Sequence, residues 1–412
     1  MPRSLYDADN KFFEIMNMRL LVVWAESVNR NMGGSGHFWG LLEGFESVGC
    51  SVRAICPRYG RAAVPDAASV SYVRLPQRSL FSFLLLQVWL LVIVPYHIFR
   101  HSPQVIYQRT WFLSFLMWPL LRLVRIRLVM EIDAIVDEET KMRGQRNVLG
   151  AAVRFIERLS FRFADGLVCV TEGIRNEVIR RGAKPQKTRV VHNAARVAKN
   201  APPDQHVARR SLGLPLHGRL VGFAGTFAPW QGLDLLVNAA SDIVGGCPEC
   251  VYFVLMGEGQ YADDLRQCVA TTGLKERFIF LPPADHEMAA VLYSACDVIV
   301  IPIHDGRKLR YGLSPLKFWD ALAAGVPVIV PHNSELENFL DRVSLPGTFE
   351  PGNRADFADK VLIALRSSQA YLARRAQVHR IVQEEYSWTN AARKVLTFSA
   401  SLCDGFLDNA KD

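Results

Sequence analysis

Between Asp66 and Glu131 the chain has no aspartate or glutamate at all. In a sequence of 412 residues with 40 carboxylates, that gap is a large one. Arg74, Arg78, Arg100, Arg109, Arg122, Arg125 and Arg127 fall within it, and they account for nearly all of the formal net charge of +8. The same stretch holds two apolar runs, LFSFLLLQVWLLVIV (Leu80 to Val94) and WFLSFLMWPLL (Trp111 to Leu121). As a helix the first run would reach only about 22 Å at 1.5 Å per residue, short of a roughly 30 Å hydrocarbon core, and Pro95 follows it. The run is therefore a poor transmembrane span. Two readings remain open: helices lying at an anionic membrane interface, or helices buried against a sheet. Nucleic acid is disfavoured, because the arginines are interleaved with aliphatic runs rather than gathered into a polar stripe.

Other absences narrow the class further. The eight cysteines stand singly except Cys247 and Cys250, and no second pair is spaced to complete a zinc site. No secretory leader is evident, so reduced thiols in a cytoplasm are expected, with any membrane contact peripheral and on the inner face. The dinucleotide fingerprint is missing: in GGSGHFWG, Gly34 and Gly36 are followed by Gly40 rather than by a glycine three residues on, which disfavours NAD. There is no internal repeat, low-complexity tract or heptad pattern.

What is present is a chain half hydrophobic, too long for one core and expected to form two domains. Short apolar strands alternate with helical stretches twice over. MRLLVVW, SVRAIC, SYVRL, QVIYQ, RLVMEI, DGLVCV and TRVVH make one set, and RLVGFAG, VYFVLMG, RFIFLP, DVIVIP and VPVIV the other. Ala194 to His217, rich in proline and glycine, reads as a linker, and the chain beyond Arg354 as helical only, ending in an amphipathic helix from Ser387 to Leu402. Parallel α/β sheets bind ligands beyond the carboxyl ends of their strands. That draws attention to the glycine loop with His37, to Arg109 after QVIYQ, and to Glu131 and Asp133 closing RLVMEID. A carboxylate there is either catalytic or in a structural pair with an arginine such as Arg109.

The segment RYGLSPLKFWDALAAGVPVIVP, Arg310 to Pro331, is the most informative. Ser314 and Pro315 read as N-cap and first residue of a helix whose free N–H groups favour an anion, and Lys317 adds a positive charge one turn in. Asp320, on the same face, is a carboxylate suited to gripping a diol. Gly325 ends the helix. Together these suggest a nucleotide diphosphate at one end of a helix; the bland alternative is an ordinary amphipathic helix with a solvated lysine.

From roughly Arg19 to Leu402 the chain resembles the retaining nucleotide-sugar glycosyltransferases of family 4. The carrying segments are GGSGHFWGLLEGFESVGCSVRAIC, RFADGLVCVTEGIRNEV with VVHNAA, GTFAPWQGLDLLVNAA, LMGEGQYADDL, LYSACDVIVIP, SPLKFWDALAAGVPVI and EYSW. The resemblance implies a GT-B fold: two facing Rossmann-like α/β domains with a cleft between them and a C-terminal helix crossing back. It would divide the chain into an acceptor-side domain (1–200), a nucleotide-sugar-binding domain (201–385) and a returning helix (386–412). It further implies transfer of a sugar, with retained configuration, from a nucleotide-diphosphate sugar to a hydroxyl of a glycan or lipid-linked acceptor.

Residue by residue, the resemblance places the donor against Gly33, Gly34, Gly257, Gly259, Ser314, Pro315, Leu316, Lys317 and Asp320. Lys317 and Glu131 are the catalytic candidates, and His37, Arg109 and Arg310 candidate diphosphate or acceptor contacts. Three departures stand out. The family's first motif glutamate would fall on Gly312 or Leu309, neither acidic. Its diphosphate-binding Arg and Lys are Thr226 and Gln231 here, so charge must come from Lys317 with Arg307, Lys308 or Arg310. HNAAR replaces the usual asparagine, glycine and aspartate. With no acidic cluster near SPLK, neither metal nor cofactor is expected. A catalytically impaired partner subunit and a sugar-nucleotide epimerase of the same fold are the alternatives.

Overall fold

The computed structural model of the chain describes residues 17–29, 35–60, 65, 67–77, 79–109, 114–135, 148–196, 203–345 and 347–404. They form two compact units. The first takes the described residues of Met1–Asn29, His37–His192 and Trp388–Asp412, the second those of Arg30–Gly36 and Asn193–Ser387.

In the first unit β1 (Arg19–Val23), β2 (Ser51–Tyr59), β3 (Val70–Leu75), β4 (Val105–Arg109), β5 (Arg127–Ile132), β6 (Gly166–Cys169) and β7 (Thr188–Val190) build one sheet, ordered β3-β2-β1-β4-β5-β6-β7. Every pairing is parallel. The four last residues of β1 and the four first of β4 are buried, as expected of central strands covered on both faces. Strand order reverses between β1 and β4, so that is where the carboxyl edge opens a crevice.

The second unit repeats the scheme. β8 (Arg219–Ala224), β9 (Val251–Met256), β10 (Phe278–Leu281), β11 (Val298–Val300), β12 (Val328–Pro331) and the two-residue β13 (Thr348–Phe349) run in the order β10-β9-β8-β11-β12-β13, reversing between β8 and β11. Neighbouring residues point to opposite faces, which separates two cores. Leu220, Val254, Ile299 and Val328 face Phe318, Trp319 and Leu322, whereas Val221, Phe253, Val300 and Ile329 face Leu236, Ile243 and Phe357.

Three expectations need correction. The helix of the first apolar run does not stop before Pro95; it runs from Leu80 to His101 through the proline. Its 22 residues extend about 33 Å, so by length and composition alone this helix could cross a membrane. Leu86, Leu90, Val94 and Ile98 are its buried side, while Phe81, Leu84, Val88, Val92 and Phe99 are exposed. Trp111, which opens the second apolar run, lies outside the described residues. The stretch read as a linker contains a helix, Gln205–Ser211, capped by Asp204 and anchored by Arg209, which is buried and donates to Asp297 Oδ2 at 2.8 Å. Third, the helix after the glycine loop begins at Ser35, so Gly40 lies inside it. A Cβ there would meet Trp388 Nε1 at 2.2 Å, and one at Gly44 would meet the Trp388 carbonyl oxygen at 2.4 Å. The glycines make a flat face, and the final helix, Trp388–Asp404, enters against it.

Candidate functional site

In the second unit the loops after β8 and β9 close over one another. Gly225 and Gly257 have φ of 147° and 151°, and a Cβ on Gly257 would stand 1.9 Å from the Gly225 carbonyl oxygen. A Cβ on Gly259 would stand 2.2 Å from that of Phe227. Gly257 and Gly259 are therefore demanded by loop-to-loop packing, whatever else they touch.

Lys317 reaches this place from the helix Leu316–Ala323. Its Nζ donates to Gln231 Oε1 at 3.0 Å, sits 3.9 Å from the centre of the Phe223 ring, and would lie 3.0 Å from a Cβ on Gly225. No carboxylate among the described residues pairs with it. Burial pushes this amine down to about 7. Gln231, a departure from the family pattern, is thus what Lys317 rests on.

Pro315, not Ser314, is the N-cap of that helix, and it provides no side-chain cap. The Ser314 hydroxyl accepts from the Asn193 N–H at 2.9 Å, while the Ser314 carbonyl accepts from Asn193 Nδ2 at 2.5 Å. A partner 121 residues away has taken the group that sequence reasoning gave to the helix end. Gly325 does follow the helix in a left-handed conformation, φ 74°. Asp320 is buried; its Oδ1 accepts from the Arg196 N–H at 3.0 Å and stands 3.5 Å from His286 Nε2. Burial raises its pKa above the ordinary aspartate value. His286, set at a helix start by the Asp285 cap, was missed in the sequence; a polar residue just after β10 was the available signal.

The other basic candidates are committed nearby. Arg307 forms a fork to Asp305, Lys308 lies 5.9 Å from the centre of the Trp230 ring, and Arg310 lies 5.4 Å from that of Tyr311. Gly312, where the motif glutamate would fall, has φ 80°, a conformation that itself favours glycine.

In the first unit the carboxyl ends of β1, β4 and β5 gather a charged cluster. Gly33 and Gly34 lie outside the described residues. His37, buried near the start of its helix, places Nε2 2.9 Å from Glu131 Oε1. Tyr107 donates its hydroxyl to Glu131 Oε2. The expected Glu131–Arg109 pair does not form: although the two residues are neighbours in the β4–β5 register, Arg109 bonds Asp133 and, at 3.0 Å, Glu26. Burial opposes ionisation of Asp133, but the adjoining guanidinium outweighs it and holds the carboxyl below its ordinary value. Burial and the Glu131 charge together push the Tyr107 phenol well up. Trp24 and Trp388 flank His37 at ring distances of 5.3 and 4.9 Å. Among the described residues, the buried Trp24 Nε1 has no hydrogen-bond partner.

Two parallel sheets of doubly wound order, each with polar groups at its switch point, define a two-domain α/β protein of the GT-B class. Residues 33–194 match the family model for a glycosyl transferase 4-like domain, and residues 218–367 the model for glycosyl transferases group 1. The chain belongs to this glycosyltransferase family. D-inositol 3-phosphate glycosyltransferase of Mycobacterium bovis and of Mycobacterium tuberculosis is 29% identical over 245 residues, 57% of this chain and 48% of the relative. The chain spans about half the length of the curated relatives it matches. Among solved structures, sucrose-phosphate synthase from Thermosynechococcus elongatus aligns at TM-score 0.74 and 19% identity, over 94% of this chain and 100% of that one. WaaG, a glycosyltransferase involved in lipopolysaccharide biosynthesis, aligns at 0.67 and 12%, over 92% and 98%. HepE from Anabaena, solved with UDP and glucose, aligns at 0.69 and 17%, over 93% and 100%. At these identities the likeness concerns the fold.

Proposed function

We propose that this chain transfers a sugar from a nucleotide-diphosphate sugar to an acceptor hydroxyl, with retention of configuration and without a metal ion. The observation that carries the reading is Lys317: a half-buried side chain whose amine rests against the Phe223 ring, is bonded to a neutral amide and is held down at about 7, beside the loops after β8 and β9. Such a group gains from the arrival of a diphosphate, and gains most as charge develops on the leaving phosphate. Asp320 grips the ribose, displacing His286 or sharing it, with the Arg196 N–H keeping the carboxylate aimed. The departing phosphate oxygen takes the acceptor proton, so no protein nucleophile is required. In the first unit Glu131, braced by Tyr107 and His37, orients the acceptor.

The acceptor is lipid-linked or a growing glycan at an anionic membrane surface, on the cytoplasmic side. The exposed apolar side of the helix Leu80–His101, within a stretch lacking carboxylates, supports that choice. Incubation with a panel of nucleotide sugars tests the reaction: release of nucleoside diphosphate from one of them is expected, and none from any would refute it.

A further inference from the structure

The amino ends of the same first-unit strands hold a second feature. Residues at or just before the starts of β1, β4 and β5 line a cavity of about 750 Å³, among them Arg19, Gln104, Arg125 and Ile126, with Ile98 and Phe99 from the end of the long helix. Trp24, Arg109 and Glu131 lie at the opposite ends of those strands, about 16 Å away for five residues at roughly 3.3 Å each. The cavity is therefore separate from the acceptor cluster.

Its chemistry is one-sided. Arg19 and Arg125 are both exposed, and among the described residues none that lines the cavity is acidic. The Arg19 guanidinium donates Nε to the Ser102 carbonyl at 2.7 Å, which ties its stem to the rim while using one of five donors. Ser102 and Arg125, both at the cavity, are in the left-handed region at φ 45° and 59° although neither is glycine. Each closes the carboxyl end of a helix, Leu80–His101 and Trp118–Leu123, so both helix ends, with their last carbonyls, stand at the cavity. Phe99 is 77% exposed and continues the outer apolar side formed by Phe81, Leu84, Val88 and Val92.

Two arginines beside an apolar track fit an anionic amphiphile. We propose that this cavity holds the phosphate head of a lipid, whose acyl chain leaves past Phe99 along the outer side of the helix Leu80–His101. The inference rests on the membrane-facing reading of that helix, and its test separates the two. The probe is dodecyl phosphate below its micellar concentration, titrated into the full chain by calorimetry. The variant is Arg19→Gln with Arg125→Asn, asparagine being at ease in the left-handed region. Wild type binds, and the double variant binds about tenfold more weakly or worse, the loss of charge-assisted contacts. The circular-dichroism spectrum and thermal melt of the full chain stay unchanged and report that the variant is folded. Dodecyl phosphate that fails to bind, binds both proteins alike, or is displaced equally well by inorganic phosphate overturns the proposal. If neutral and anionic vesicles are ignored while the arginine-dependent binding persists, the membrane reading fails and the cavity assignment stands.

Discussion

Glu131 Oε1 and His37 Nε2 lie 2.9 Å apart with both side chains buried, and Tyr107 occupies the other carboxylate oxygen. A carboxylate so enclosed is stable only with its partners in place, and removing one leaves a buried charge. Under the proposed role, Glu131→Gln keeps the packing and both contacts while removing the charge. Nucleoside diphosphate affinity should be unchanged and acceptor turnover should fall about 10²-fold or more. Equal turnover in wild type and variant would leave Glu131 as a fold-stabilising group.

Lys317→Met should separate stability from function. In the folded protein this amine is held near 7, against about 10.4 unfolded, so the unfolded chain binds its proton more tightly between those values. The destabilisation is complete below pH 7 and fades as pH rises towards 10. Methionine should thus raise stability by roughly 1–3 kcal/mol at pH 7 and by less at pH 9, while nucleoside diphosphate binding is lost. Denaturant melts at the two pH values check the first part, and calorimetry the second.

The pH dependence of nucleoside diphosphate binding should be bell-shaped. On the alkaline side affinity falls as pH rises past about 7, because Lys317 loses its proton. On the acid side it falls as Asp320 is protonated, at a pH above the ordinary aspartate value because burial raises that group. Asp320→Asn, which still accepts from the Arg196 N–H, should abolish the acid limb and weaken binding by about 1–3 kcal/mol. A flat profile in wild type would remove both residues from the site.

Much of the fold was legible. The strands β1 to β12 appear as apolar runs because parallel strands are buried on both faces, and the loops at their carboxyl ends follow from that rhythm. β13, only two residues long, and the capped helix Gln205–Ser211 among prolines left no comparable run. At the site, residue types were readable and partners were not. Ser314 looks like a cap until Asn193 arrives from 121 residues away, and Arg109 looks like the partner of Glu131 until Asp133 and Glu26 claim it. The absent motif glutamate was visible, but only the left-handed backbone at Gly312 supplies a physical reason for it.

Gly40→Ala tests the contact between the glycine helix and the final helix. Its Cβ would fall 2.2 Å from Trp388 Nε1, so the variant should lose about 1–3 kcal/mol, and adding Trp388→Ala should recover part of that loss. Strict additivity in the double-mutant cycle would contradict the packing described.

The proposed metal-free leaving group is checked by turnover in excess EDTA, which should be undiminished; complete loss restored by Mg²⁺ or Mn²⁺ would mean that Lys317 does not carry the phosphate charge.

The most direct measurement is the rate of nucleoside diphosphate release from the best nucleotide sugar of a panel, in wild type and in Lys317→Met compared side by side. Wild type should release nucleoside diphosphate, and the variant, folded and more stable, should be slower by 10² or more. Release at the same rate from both proteins, or from neither, would contradict the assignment of the donor site to Lys317.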